Sequence, residues 1–169
     1  MPSNIGGAHW GGLVFDPASE QVIVPVNRLA TLIRLIPRAQ YTDTLRRGSR
    51  MSEFAAMRAT PYAVQREILR SPGGLPCTKP PYGEPIALST RTGLVTWRVP
   101  LGGVGALGGP GAPQTPIGSP NLGGPIVTAS GIVFIAAALD HKLRAIDVKN
   151  GTVTRLQLQY HPVTPSNAR

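Results

Sequence analysis

The sequence predicts an all-β fold assembled from four-stranded meanders, the blades of a β-propeller, and three observations carry that expectation. The first is turn chemistry: 20 glycines and 18 prolines among 169 residues are about a fifth of the chain, nearly twice the usual share, which favours short strands and many turns over long helices. The second is a clean meander from Gly124 onward. The third is an internal repeat. Ala87-Leu88-Ser89-Thr90-Arg91-Thr92-Gly93-Leu94-Val95-Thr96-Trp97 aligns without gaps to Ala145-Ile146-Asp147-Val148-Lys149-Asn150-Gly151-Thr152-Val153-Thr154-Arg155, 58 residues on. A repeat at that spacing reads as an array of blades, none of which can bury its faces alone.

In chain order, Leu13-Val14-Phe15 runs into the turn pair Asp16-Pro17, and Gln21 to Val26 resumes as a strand, so a hairpin is expected. Arg28 to Arg38 fits either an apolar edge strand or a short helix, and Pro37 ends it in both cases. From residue 39 to 83 the pattern loosens into an irregular insertion, with helical turns expected over Met51 to Arg58 and Ser49 available as their cap. Residues 102–120, rich in Gly, Ala and Pro, form a second irregular insertion. The meander then reads as Gly124–Ala129, a tight turn at Ser130-Gly131, a strand over Ile132–Ala137 buried on both faces, and Lys142–Asp147 leading to the turn Lys149-Asn150-Gly151. Two to three blades are expected in all, with residues 152–169 a divergent, disordered tail.

The formal net charge of +9 raises the question of nucleic acid, because clustered cations gain affinity for phosphates through counterion release. Nine of the seventeen basic residues, all Arg, lie between Arg28 and Arg70. They have no interleaved aromatic platform, which favours a solvated or partner-facing basic surface instead. Cys77 is the only cysteine, which excludes an internal disulfide; it reads as a small buried residue, since no base stands near it in sequence. His9, His141 and His161 lack the spacing and companions of a metal site. No apolar run approaches the roughly 20 residues of a membrane-spanning helix.

The pattern Ala-x-Asp-x-x-x-Gly-x-x-x-Trp in the repeat resembles the tryptophan-docking motif of the eight-bladed quinoprotein alcohol and sugar dehydrogenases. Trp97 fills the docking position with Ser89 in place of the acid, whereas the second copy keeps Asp147 and has Arg155 in place of Trp. Three further stretches carry the resemblance. They are Pro2-Ser3-Asn4 with Trp10-Gly11-Gly12 and Asp16-Pro17; Gly74-Leu75-Pro76-Cys77 with Pro80-Pro81-Tyr82-Gly83; and Asn121-Leu122-Gly123-Gly124-Pro125 through Leu139-Asp140 to Leu143-Arg144-Ala145. In order and spacing they are similar to the C-terminal third of the membrane-bound branch, which contains quinate/shikimate and glucose dehydrogenases.

The resemblance covers residues 1–151 and implies a partial eight-bladed propeller that oxidises an alcohol with pyrroloquinoline quinone and a divalent metal, calcium or magnesium. Electrons then pass to ubiquinone at the periplasmic side of the inner membrane, and membrane contact is made through an N-terminal region. Quinate or shikimate is favoured as substrate by Pro80-Pro81-Tyr82-Gly83 and by the basic surface; glucose is the alternative. A non-enzymatic propeller module for binding or scaffolding is a third reading. In the family the aspartate base and the quinone-contacting lysine precede this region, so no catalytic residue is expected here and the chain alone is expected to be inactive.

Carried over residue by residue, Asn4 matches an asparagine that reaches the quinone and the metal, for which an amide oxygen is a suitable hard ligand; as a bare residue it reads equally as a turn asparagine. Leu122 and Gly123 match the segment beside the quinone, where a small residue admits close backbone approach. Asp140 matches an acid that influences cofactor and metal retention, though turn aspartates are common. Trp10 is a candidate site-lining residue or a core residue. Past Gly151 the resemblance stops, and Met1 falls where relatives are mid-propeller. The sequence is therefore expected to be an incomplete reading of a longer gene, with a frameshift near codon 152.

Overall fold

The computed structural model describes residues 3, 5–43, 52–103, 117–136, 138–140 and 142–157. Among the described residues it is all-β apart from one 3-10 turn at Arg38–Gln40 and helical backbone at Asp43. The expected hairpin is present: β1 (Gly7–Ala8) and β2 (Val14–Asp16) both pair with β3 (Gln21–Asn27), β1 along its end and β2 along its beginning. Strict alternation in β3 buries Gln21, Ile23, Pro25 and Asn27 on one face, as expected of a half-buried strand.

Arg28 to Arg38 resolves as a strand, β4 (Thr31–Pro37), and not as a helix. The stretch expected to be irregular carries two more strands, β5 (Ser52–Ala56) and β6 (Tyr62–Ile68). The helical turns expected over Met51 to Arg58 are replaced by β5, because β6 offers it a five-residue antiparallel ladder and tertiary pairing overrides weak local propensity. Ser49 and residues 104–116 lie outside the described residues. The order β4-β6-β5 makes a separate three-stranded sheet.

That sheet is inserted between β3 and β7 (Gly83–Ser89), which pair along seven residues as if nothing separated them. Pro25 stands directly opposite Pro85. Neither ring carries an N–H, so this site is a non-hydrogen-bonded pair of the ladder. Strand β8 (Val95–Arg98) completes the first blade, β1/β2-β3-β7-β8. The second is the expected meander, β9 (Ile126–Val127), β10 (Ile132–Ile135), β11 (Lys142–Asp147) and β12 (Val153–Gln157). Two corrections follow. Strand β10 buries one face only, through Val133 and Ile135, and residues 153–157 close the blade instead of starting a tail; residues 158–169 lie outside the described residues.

The two blades bury one shared core. Ile23, Ala87 and Trp97 of the first meet Val133, Ile135 and Ile146 of the second. Trp97 is the linchpin: its Nε1–H donates to the Val148 carbonyl at 2.6 Å, and its ring lies on Gly151, where an added Cβ would come within 2.9 Å of the indole. The docking role expected for Trp97 is therefore observed, and it gives a large aromatic both burial and a partner for its polar edge. A smaller cluster, Leu29 and Tyr82 with Ile5, Ile68, Leu75 and Ile117, ties the inserted sheet to the blade.

Candidate functional site: a strap between the blades

The chain reaches the second blade through a strap, residues 119–124, that crosses the ends of β3 and β7. Backbone contact this close demands glycine. A Cβ at Gly83 would overlap the Ser119 carbonyl oxygen, and one at Gly124 would overlap the carbonyl oxygen of Gly11. At its start the strap continues the first blade's hydrogen bonding, with Ser119 N–H donating to the Leu101 carbonyl at 2.8 Å.

Two asparagines hold its centre. Asn27 and Asn121 are 2% and 0% exposed, so each amide needs partners inside the protein. The Asn121 backbone N–H and Nδ2 both donate to Asn27 Oδ1 at 3.0 Å, and Asn27 Nδ2 donates to the Asn121 carbonyl at 2.7 Å. The remaining acceptor, Asn121 Oδ1, lies 2.8 Å from His9 Nε2. On its other side the imidazole receives the Gly11 N–H on Nδ1 at 3.0 Å. An accepting Nδ1 places the ring proton on Nε2, which then donates to Asn121.

The residues expected to line a site divide into three groups. Trp10, Leu122 and Gly123 are brought together, because the loop of residues 9–12 is clamped to the strap through His9 and through the contact of Gly11 with Gly123 and Gly124. Trp10 is 86% and Leu122 52% exposed, so Trp10 lines a surface and is not a core residue. Asp140 lies at the strap's other end, where Ser119 Oγ accepts from the Leu139 N–H at 3.2 Å and Asp140 Oδ2 comes 3.4 Å from the Cβ position of Gly102. Asn4 and His141 lie outside the described residues.

Asp140 is committed to a partner. Arg144, buried at 3% side-chain exposure, grips both of its carboxylate oxygens, in the bidentate form that favours charge-assisted bonding. Burial by itself raises the Asp140 carboxyl; the hydrogen bonds and charge of Arg144, with a backbone hydrogen bond and charge from Lys142, outweigh it and hold the group below its ordinary value. Glu84, unlike the half-buried Asp140, is a fully buried acid on the first blade. Arg28 Nη2 approaches its Oε1 to 2.6 Å and Arg98 Nη1 to 3.6 Å. Neither contact has hydrogen-bond geometry, so this oxygen is neutralised by charge without an aligned donor.

His9, Asn27 and Asn121 form a network that sequence reasoning did not single out as candidate site residues. His9 adjoins the Trp10-Gly11-Gly12 stretch and Asn121 opens the Asn121-Leu122-Gly123 stretch, both usable signals, whereas Asn27 reads in sequence as an ordinary strand-end residue. Cys77, expected to be buried, is exposed, because the loop after Gly74 turns Pro76 inward in its place. Among the described residues no three His, Cys, Asp or Glu side chains gather as metal ligands, and no helix is long and apolar enough to cross a membrane. The site offers exposed apolar side chains on a backbone-rich floor, with an ionised acid at one end. That arrangement suits a flat, partly apolar group.

The comparison with known families decides the question of descent. Residues 1–163 match the PQQ-dependent glucose/ethanol/alcohol dehydrogenase β-propeller domain. The chain belongs to this quinoprotein family. Among similar proteins are the quinate/shikimate dehydrogenase (quinone) of Acinetobacter baylyi, 36% identical over 159 residues, and a probable quinate dehydrogenase (quinone) of Xanthomonas campestris pv. juglandis, 36% over 158. Each match covers 89% of this chain and 20% of the relative. The quinoprotein glucose dehydrogenase of Escherichia coli is also 36% identical, over 169 residues, with the same shares. The chain thus spans about a fifth of the length of the relatives it matches, two of whose names specify a quinone acceptor. Family membership implies pyrroloquinoline quinone as cofactor, and the chemistry of the strap suits it: Trp10 and Leu122 are exposed on segments that meet through Gly11, Gly123 and Gly124, and exposed apolar side chains near glycine backbone can pack against a flat ring.

Proposed function

We propose that this chain supplies two blades and part of the cofactor floor of a quinone-dependent dehydrogenase that oxidises a hydroxyl of quinate or shikimate and passes electrons to ubiquinone. The observation that carries this reading is the clamped pair of exposed apolar residues, Trp10 and Leu122, beside the Gly123 backbone. When bound, pyrroloquinoline quinone provides the two-electron acceptor for alcohol oxidation. Trp10 and Leu122 then exclude water from one face of the ring, and Gly123 lets the backbone approach it. Asp140, paired with Arg144, sets a charge-balanced carboxylate at the edge of the floor.

Asn4 is proposed to reach the quinone and a calcium or magnesium ion. The described residues do not by themselves make a metal site. The isolated chain is proposed to be inactive and to act only within a complete propeller, because the aspartate base and the quinone-contacting lysine of the family precede the region that this chain resembles. The basic surface between Arg28 and Arg70 supports a carboxylated substrate over glucose. Placement at the periplasmic side of the inner membrane, with membrane contact through an N-terminal region, is part of the same proposal. The stretch Pro80 to Gly83 supports the quinate branch through its resemblance and not through substrate contact, since Tyr82 is buried in the cluster beneath the inserted sheet.

The test is turnover by the full-length protein carrying this chain, reconstituted with pyrroloquinoline quinone and calcium or magnesium, on quinate, shikimate and glucose with a soluble ubiquinone analogue. Faster reduction with quinate or shikimate is expected. Preference for glucose would transfer the protein to the sugar branch, and absence of quinone uptake would favour a binding or scaffold propeller.

A further inference from the structure

We infer that His9 is a positioning residue for the cofactor floor, locking the Trp10 loop to the Leu122 strap as one rigid unit; the inference rests on the reading above. The ring bridges two segments 112 residues apart, Gly11 on one side and Asn121 on the other. Every direction in the chain of bonds is forced. The Gly11 N–H can only donate, so Nδ1 accepts and Nε2 carries the proton. Asn121 Oδ1 therefore accepts, which turns Asn121 Nδ2 toward Asn27 Oδ1, where it is found. A satisfied polar network favours a single arrangement, because breaking the bonds at Asn121 or Asn27 strands a buried amide. His9 does not touch the proposed cofactor in this arrangement; it acts through the loop that bears Trp10.

Two measurements test this. In the chain itself, the imidazole nitrogen spectrum of His9 is expected to show a protonated Nε2 and a bare Nδ1, and the Gly11 amide is expected to exchange at least about tenfold faster in His9→Phe, the factor set by one lost hydrogen bond. In the full-length protein loaded with pyrroloquinoline quinone, His9→Phe is expected to release the cofactor about tenfold faster, with His9→Gln in between because its amide still offers Asn121 an N–H. Thr96→Val is the control: it removes the 2.7 Å bond to Gln21 within the first blade and should leave release unchanged. If Thr96→Val speeds release equally, general destabilisation explains the effect and the inference falls. Unaltered release in His9→Phe overturns it while leaving the proposed function standing; failure of the unmodified protein to take up quinone overturns both. Should His9→Phe not fold, an Nδ1–H tautomer in the unmodified chain still overturns it.

Discussion

The two blades contain the same turn twice, and the surroundings of the two copies differ. In the first blade Ser89 N–H donates to Leu94 and Gly93 N–H to Ser89; 58 residues later Asp147 N–H donates to Thr152 and Gly151 N–H to Asp147, at 2.8 to 2.9 Å throughout. Gly93 and Gly151 have φ values of 70° and 74°. Yet Gly93 has open space where its Cβ would be, whereas Gly151 lies under the Trp97 ring. The hairpins opposite repeat the lesson. Thr90 N–H donates to Glu20 and Val148 N–H to Gly131, so Glu20, at φ 54°, occupies the left-handed position that the second blade fills with glycine at φ 77°. Local turn chemistry is thus written into each repeat, while what covers a turn depends on its place in the array.

The sharpest way to break this comparison is to remove the cover. Trp97→Ala is expected to destabilise the chain by about 3 to 5 kcal/mol, the range for large aromatic truncation in a core, and to leave the Val148 carbonyl without its donor; denaturant unfolding monitored by circular dichroism checks it. Paired glycine substitutions separate local from tertiary effects. Gly93→Ala should cost roughly 1 to 2 kcal/mol for an L-residue at positive φ. Gly151→Ala should cost about 1 to 3 kcal/mol more, because its Cβ also overpacks Trp97. Equal losses in the two would show that Trp97 does not rest on Gly151 in solution.

The strand connections differ as well. Six residues, 136–141, join β10 to β11, whereas the equivalent link in the first blade, 28–82, holds a whole sheet. The short link places Asp140 on Arg144. Asp140→Asn is expected to cost roughly 1 to 3 kcal/mol, since a buried guanidinium then keeps only neutral acceptors. Because the folded carboxyl sits below its ordinary value, its contribution is present above the unfolded-state pKa and is lost as pH falls through the folded value. The Asn variant should therefore show a flatter acid limb in a pH series of unfolding midpoints. The smallest effect concerns Glu20: Glu20→Gly should relieve backbone strain and gain about 0.5 to 1 kcal/mol, offset by loss of the exposed pair with Arg91.

Legibility followed contact range. The meander of the second blade could be read because alternating Lys142 to Asp147 and the turn glycines at 131 and 151 act over a few residues. The inserted sheet could not, because Ser52-Glu53-Phe54-Ala55-Ala56 has no period of its own and becomes a strand only beside Tyr62–Ile68. Its outer strand leaves Leu32, Ile33 and Leu35 between 43% and 54% exposed, which no alternation rule anticipates. Of the proposed site, Trp10, Leu122, Gly123 and Asp140 enter through family resemblance, whereas the network of His9, Asn27 and Asn121 that ties the Trp10 loop to the strap was not legible in sequence.

By itself the sequence determined the all-β class, the repeat and its left-handed turn positions, because these depend on backbone sterics and on side chains a few residues apart. The tertiary structure decided which residue the docked Trp97 covers, Gly151, that Asn27 would pair with Asn121 across 94 residues, and that His9 would close the network. A buried amide is stable only where a distant segment supplies its partner, and no local pattern in the chain encodes which segment that will be.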